Sequence, residues 1–309
     1  MLATWYAGSR EAAPDVAIYR AFFDEDRLAW TEPEVLVDRT KCSAELGRYV
    51  RKVGNSMVLN NGGRLWLFYS SVFFGGWSGS SMNYKFSDDG GLTWSTSRKL
   101  VLSPFFNLSR NVKNKGLRLE DGSLILPVYH ELLGDFSEVV RLRPGRDSVT
   151  WETRKMTFSG RAIQPVLLQD GSTRLRAFFR NRVRSEEARI LTSVSSDAGA
   201  TWSGLEESTL SNPNSGFDMM RLDSGAYMGV INKSFYDRSN LFLVISHDMG
   251  RTWKALKVLE NTADRDYDYP SISRGSTGLY HITYTYEKKR IKHVCFNEAW
   301  LKQMDASRD

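Results

Sequence analysis

Cysteine is scarce in this 309-residue chain, which has only Cys42 and Cys295. Two thiols so far apart make no disulfide framework, so the fold must rest on its core. Histidine is nearly as rare, at four, and none falls in a ligand spacing such as HExxH. Neither a metal nor a cofactor is therefore expected. No apolar run approaches the roughly 18 residues of a membrane-crossing helix, so no membrane span is expected. The N-terminal stretch Met1-Leu2-Ala3-Thr4-Trp5-Tyr6 reads as a strand and lacks the basic and apolar regions of a signal peptide. The chain as it begins here reads as cytoplasmic, or as exported if its true start lies further upstream. An excess of one charge is lacking too, with 42 Lys and Arg against 36 Asp and Glu, a net of +6. The basic residues are scattered, and their densest run, Glu287 to His293, lies in a strand-like stretch. A nucleic-acid partner is not expected.

Aromatic residues, in contrast, make up 12%, including nine Trp and thirteen Tyr. Flat rings suit pleated surfaces, which favours a β-rich fold. Three segments match Ser-x-Asp-x-Gly-x-Thr-Trp: Ser87 to Trp94, Ser195 to Trp202 and Ser246 to Trp253. Their separations are one or two periods of roughly fifty residues, the scale of a propeller blade. Two worn copies are expected at Asp24-Glu25-Asp26 to Trp30-Thr31 and at Pro144-Gly145-Arg146-Asp147 to Thr150-Trp151.

A second marker has the same period and a different phase. Polar Gly-bearing turns lead into apolar runs at Asn61-Gly62-Gly63, Asp121-Gly122, Asp170-Gly171, Asp223-Ser224-Gly225 and Thr277-Gly278. Two hairpins per period make about four strands, the content of a blade. The expected fold is all-β, a six-bladed β-propeller in one domain over 1–309, with the first blade lacking its N-terminal strand. In the boxes, Asp and Ser would bond nearby backbone N–H groups, Gly would take a positive φ and Trp would fill the wedge between sheets. The boxes therefore name the fold and not the chemistry.

The boxes resemble those of the sialidase superfamily. The resemblance continues in Leu2 to Glu11 followed by Pro14-Asp15-Val16-Ala17-Ile18, in Gln164-Pro165, in Asn212-Pro213-Asn214-Ser215-Gly216, and in Tyr267-Asp268-Tyr269-Pro270-Ser271-Ile272 through Arg290 to Val294. These stretches are similar to signatures of the bacterial BNR-repeat, exo-sialidase-like group. The resemblance implies an arginine clamp for a substrate carboxylate, a Tyr nucleophile activated by a Glu, and a carboxylic acid/base. Tyr267 or Tyr269 lies where the nucleophile falls, and Glu11 or Asp15 lies in the loop that bears the acid/base. The first clamp arginine would precede the stretch at which this chain begins.

Residue chemistry adds candidates. Arg10, Glu11 and Asp15 form a charged patch, and a carboxyl held near an apolar wall has its pKa raised toward that of a general acid. His130-Glu131 ends an apolar strand and could shuttle a proton. Arg180, with Arg290 as a similar claimant, offers the planar fork that grips a carboxylate. Lys115 adds positive potential. Gln164, Asn214 and Asp218 suit sugar hydroxyls, although Asx residues beside Pro and Gly are more often turn formers. Trp77, in a Gly-rich aromatic loop, suits a sugar platform or a lid. Together these predict a sialidase-like hydrolase that removes a terminal acidic sugar from a glycan. The alternatives are a non-catalytic carbohydrate-binding propeller, or a propeller hydrolase or lyase for another polysaccharide with His130 as base.

Overall fold

Short apolar runs punctuated by Gly-bearing turns favour antiparallel hairpins, and antiparallel strands make up most of the regular structure among the described residues. The computed structural model describes residues 1–10, 13–103, 107–132, 134–145 and 149–306. Glu11, and Arg146 and Asp147 of the second worn box, lie outside the described residues. The chain forms two compact units, Met1–Gly160 and Arg161–Asp309.

In the first unit, one sheet contains β1 (Leu2–Ala7), β2 (Ala17–Asp24), β3 (Ala29–Trp30) and β4 (Glu34–Val37), with β2 at its centre. Helix α1 (Arg39–Leu46) follows, capped by Asp38 at its start and by left-handed Gly47 at its end. A second sheet runs β5 (Lys52–Asn61), β6 (Arg64–Val72), β7 (Ser80–Ser87) and β8 (Arg98–Lys99). A third contains β9 (Asn111–Val112), β10 (Leu117–Arg118), β11 (Leu124–His130), β12 (Phe136–Pro144) and β13 (Val149–Lys155).

The second unit has three further meanders. The first is β14 (Ala162–Asp170), β15 (Arg174–Asn181), β16 (Arg189–Ser195) and β17 (Glu206–Ser211). The next is β18 (Asp218–Arg221), β19 (Tyr227–Ile231), β20 (Asn240–Ser246) and β21 (Lys254–Asn261). The last is β22 (Tyr267–Arg274), β23 (Tyr280–Tyr286) and β24 (Arg290–Phe296), followed by α2 (Glu298–Ala306). One sheet per sequence period is the content of a six-bladed β-propeller. Among the described residues, no helix is long and apolar enough to cross a membrane.

The core sits between successive sheets. Phe68 of β6 and Leu126 and Val128 of β11 share one apolar cluster. Burying one such side chain contributes about 1.5–3 kcal/mol. The three sharp boxes repeat a single hydrogen-bond set. Ser87, Ser195 and Ser246 donate through Oγ to Asp89, Asp197 and Asp248 at 2.7, 2.8 and 2.8 Å. Each box Asp accepts from the backbone N–H of the box Thr, and each Trp indole donates to the carbonyl of the box Gly. These bonds hold the Asp197 and Asp248 carboxyls down at about 2.

The box then plugs into the neighbouring sheet. Trp253 packs edge-on against Phe178 of β15, with ring centroids 5.9 Å apart. The worn copies keep less. Asp24 still accepts from the N–H groups of Asp26 and Arg27, and Trp30 packs on Phe23. Trp151 stands on β13 and is 40% exposed, so it plugs nothing.

The glycine marker has a structural use that its sequence does not reveal. At three sheet junctions, the last arginine of an inner strand bonds the turn of the sheet before it. Arg118 Nε donates to Asn61 Oδ1 at 2.7 Å, Arg221 Nε to Asp170 Oδ1 at 3.1 Å, and Arg274 pairs with Asp223. The polar residue of the turn thus receives a clasp from the next sheet.

Candidate functional site

The second unit gathers polar side chains at the starts of its inner strands. Three inner strands of the molecule are interrupted early by a bulge: β5 between Gly54 and Met57, β14 between Ile163 and Val166, and β22 between Asp268 and Ser271. In each, one residue takes a positive φ: Asn55 (47°), Gln164 (50°) and Tyr269 (49°). A bulge re-aims a side chain, and a non-glycine residue held at positive φ is a strained one that its surroundings must enforce. Asn214, just before β18, shares the conformation at 54°.

Two arginines organise this cluster. Arg180, near the end of β15, donates through Nε to Asn214 Oδ1 at 2.7 Å and through Nη1 to Gln164 Oε1 at 3.2 Å. Arg238, in the connection before β20, donates through Nη2 to the Asn214 carbonyl at 2.8 Å and pairs through Nη1 with Asp268 Oδ1 at 2.5 Å. Asp268 is buried. Burial by itself would lower the Arg238 pKa, but the Asp268 carboxylate outweighs it and the net shift is upward.

Tyr269 is 37% exposed, and the Arg238 guanidinium lies 6.0 Å from its ring centroid. Gly216 fits between this ring and Gln164. A Cβ there would lie 2.8 Å from Tyr269 Cδ1 and 3.3 Å from Gln164 Oε1. Arg180 bonds two neutral amides and, among the described residues, meets no carboxylate, a setting suited to an anion.

Sequence reasoning brought Gln164, Arg180, Asn214 and Tyr269 to this cluster and missed Arg238. A usable signal for the bulges was the pair Gln164-Pro165 and Tyr269-Pro270, since a proline inside a strand is confined to a bulge or an edge; it does not point to Arg238. Three other expectations are corrected in this unit. Tyr267 is fully buried, tilted against Tyr286 with centroids 5.4 Å apart, and is a core residue. Asp218 is buried, and its carboxylate accepts from the backbone N–H groups of Met219 and Ile272. It joins β18 to β22. Arg290 stands exposed at the start of β24 beside the Tyr286 ring. A separate cleft of about 550 Å³ is lined by Asp237, Asp264, Asp266, Glu287, Arg265 and Lys289, among others. Its lining is predominantly acidic, so it would not draw an anion away from the arginines.

The first unit holds its own polar constellation. His130 was expected to pair with Glu131. It pairs with Glu138 instead, Nε2 to Oε1 at 2.9 Å, and Arg110 Nε donates to the same oxygen at 2.6 Å. The reason is the ladder: β11 ends at His130, and Glu131 lies beyond the paired strand. Across the ladder His130 faces Phe136, and Glu138 is the same-face diagonal neighbour. Glu131 is held by its backbone N–H to Ser109 Oγ.

Burial would raise the Glu138 pKa, but the His130 hydrogen bond and the charges of His130 and Arg110 outweigh it and hold it below the ordinary carboxylate value. A lowered folded-state pKa gives stability that is present above the unfolded value and lost as pH falls through the folded one. Glu138→Gln should therefore destabilise the chain at pH 7 by about 1–3 kcal/mol. The deficit should shrink as pH falls below the ordinary carboxylate value. Urea unfolding of both proteins from pH 7 to 3 reads the gap, and a deficit that does not change with pH contradicts the assignment.

Asp15 is exposed and accepts from Ser9 N–H at 2.8 Å and Ser9 Oγ at 3.0 Å. These bonds lower its pKa, the reverse of the raised value expected of a general acid. Arg10 is exposed, and Lys115 is half-buried between β9 and β10. Trp77 is half-buried, edge-on to Tyr6, with Lys52 Nζ 4.2 Å from its ring centroid. Gly54 approaches it so closely that a Cβ would lie 2.6 Å from the ring. This is a packed position and not an open platform.

Comparison with known proteins gives one consistent fold. The family described as BNR repeat-like domain matches residues 1–282. No curated protein sequence matches. Among solved structures, the Hadza microbial sialidase Hz136 superposes with a TM-score of 0.80 at 14% identity, over 97% of this chain and 63% of its own. The chain thus spans under two thirds of that protein. An intramolecular trans-sialidase from Ruminococcus gnavus, solved with oseltamivir carboxylate, gives 0.74 at 13% identity, over 97% of this chain and 92% of its own. A Trypanosoma rangeli sialidase gives 0.76 at 14% identity, over 100% and 54%. These likenesses show the six-bladed propeller fold.

Proposed function

Since the chain belongs to the BNR repeat-like domain family, we propose that it is a sialidase-like glycoside hydrolase acting on a terminal acidic sugar. The observation that carries this reading is the convergence of Arg180 and Arg238 on Asn214 beside the exposed Tyr269. Guanidinium forks match carboxylate geometry, so the two arginines would grip the sugar's carboxylate. Asp268 holds Arg238 in place. Tyr269 would then face the anomeric carbon. A phenol is a fitting nucleophile there, because it avoids setting a carboxylate against an anionic sugar; such glycosidases depart from the two-carboxylate rule.

The test is turnover of fluorogenic sialosides and of other nonulosonic and uronic acid glycosides by the whole chain. Tyr269→Phe should lower kcat at least about 100-fold, on the scale of lost catalytic groups, and Arg180→Ala should chiefly raise KM. No turnover of any of these glycosides by the folded protein sinks the hydrolase reading.

Gln164 favours a second reading, a carbohydrate-binding propeller without catalysis. A free phenol has a pKa of about 10 and needs a base to attack. Among the described residues of this unit, the groups converging with Tyr269 are Arg180, Arg238, Asn214 and the amide of Gln164, which is 6% exposed. Asp268 and Asp218 are engaged by Arg238 and by backbone N–H groups. This reading predicts sialoside binding without hydrolysis by the natural chain, and turnover newly gained in Gln164→Glu.

A further inference from the structure

The segment after α1 carries cations that neither the box repeat nor the arginine cluster uses. Gly47 ends the helix at φ 63° and turns the chain toward the β6–β7 connection, residues 73–79. The Arg48 guanidinium lies 3.4 Å from the Phe73 ring centroid, and Lys99 Nζ lies 5.4 Å from the same centroid. Arg51 is tied to this connection by its backbone N–H to the Val72 carbonyl at 2.8 Å and by Nη1 to the Gly75 carbonyl at 3.3 Å. Two rings stand open beside them, with Tyr49 67% and Phe74 62% exposed.

The carboxylates of α1 do not balance this charge. Glu45 turns inward to Lys85 and to the backbone N–H and hydroxyl of Ser97. Asp38 caps the helix through the Lys41 N–H at 2.7 Å. Elsewhere in the unit, comparable arginines meet acids: Arg64 with Asp88, Arg141 with Asp121, Arg143 with Glu152. No ion pair between described residues joins Arg48, Arg51 or Lys99 to a carboxylate. Burial and the neighbouring Arg48 charge together lower the Lys99 pKa, as expected of like charges gathered without a counterion.

We propose that this patch is a binding site for an anionic oligosaccharide bearing carboxylate or sulfate groups. The proposal does not depend on the glycosidase reading, because it concerns only residues of the first unit. A guanidinium stacked flat on a ring keeps its in-plane N–H groups turned outward, where they match an oxyanion. The exposed Tyr49 and Phe74 rings offer flat apolar faces to pyranose C–H groups. An anionic lipid surface is read by clusters of about four to eight Lys and Arg, whereas this patch has three cations, two of them held by a ring and a carbonyl.

The experiment is calorimetric titration of the whole chain with a heparin-derived hexasaccharide, with maltohexaose as the neutral probe. Saturable binding of the sulfated sugar alone is expected, weakened about tenfold in the double variant Arg48→Gln/Lys99→Gln, a change of about 1.4 kcal/mol. The control pair Arg143→Gln/Arg154→Gln removes the same charge from β12 and β13 and should change affinity less than about twofold, as separated exposed charges are screened. Phe74→Ala, which leaves the charge intact, should weaken binding about threefold, on the scale of a stacking contact. Thermal melts matching the natural chain establish that each variant folds. The proposal is overturned by absent binding, by equal loss in both double variants, or by phosphatidylserine vesicles binding through Arg48 and Lys99 where the hexasaccharide does not.

Discussion

Arg238→Ala should lower unfolding free energy by about 3–5 kcal/mol, the penalty for stranding one partner of a buried ion pair. On the proposed function it should also remove binding of acidic sugars. The Asp268 side chain is 3% exposed and bonded to Arg238 at 2.5 Å. Truncating the arginine leaves that carboxylate in a poorly solvated setting with its counterion gone. The bond from Nη2 to the Asn214 carbonyl is lost as well, which loosens the left-handed turn that presents Asn214 to Arg180.

A second variant separates stability from recognition. Replacing both partners, Arg238→Met with Asp268→Leu, removes the uncompensated charge and should restore most of the stability. Sugar binding should stay absent, because the second guanidinium is still missing. Urea unfolding gives the first quantity and calorimetric titration with free sialic acid the second. A loss under about 1 kcal/mol in Arg238→Ala would mean that solvent screens the pair. Full binding by the double variant would remove Arg238 from the recognition site.

Gly250→Ala should cost about 2–5 kcal/mol. Two effects add. The residue sits at φ 83°, where an L side chain pays about 1–2 kcal/mol. Its new methyl would also lie 2.7 Å from Phe178 Cζ, and overpacking of that kind costs about 1–3 kcal/mol. Gly62→Ala isolates the first effect. Gly62 lies at φ 63°, and a Cβ there would meet nothing within 4 Å, so it should cost only about 1–2 kcal/mol. The difference between the two variants reads the contact of the box with its neighbouring sheet. Equal losses would show that the box turn does not depend on that contact.

The contrast between these two glycines also marks what was legible in the sequence. Both lie in turn motifs, and positive φ was expected at Gly250 as the glycine of a box. Only Gly250 is pressed against another sheet, on a residue some seventy positions earlier in the chain. The same limit governs the candidate site. His130 and Glu131 are adjacent in sequence and were read as a pair, yet the strand ends at His130 and the ladder brings Glu138 to it. Tyr267 and Tyr269 were equal claimants, and the bulge in β22 buries the first while turning the second outward.

The Ser-x-Asp-x-Gly-x-Thr-Trp box by itself determined the fold class, because its bonds close within eight residues. Ser, Asp, Thr and Trp satisfy one another and the turn they occupy, whatever surrounds them. Repetition of such a unit at the period of a blade leaves little choice of architecture. The candidate site was decided by tertiary structure, because its contacts span thirty or so residues: Arg180 to Asn214, Arg238 to Asp268. Those pairings depend on strand register and on where a bulge falls, and both are settled only when neighbouring sheets pack and a buried carboxylate must find its cation.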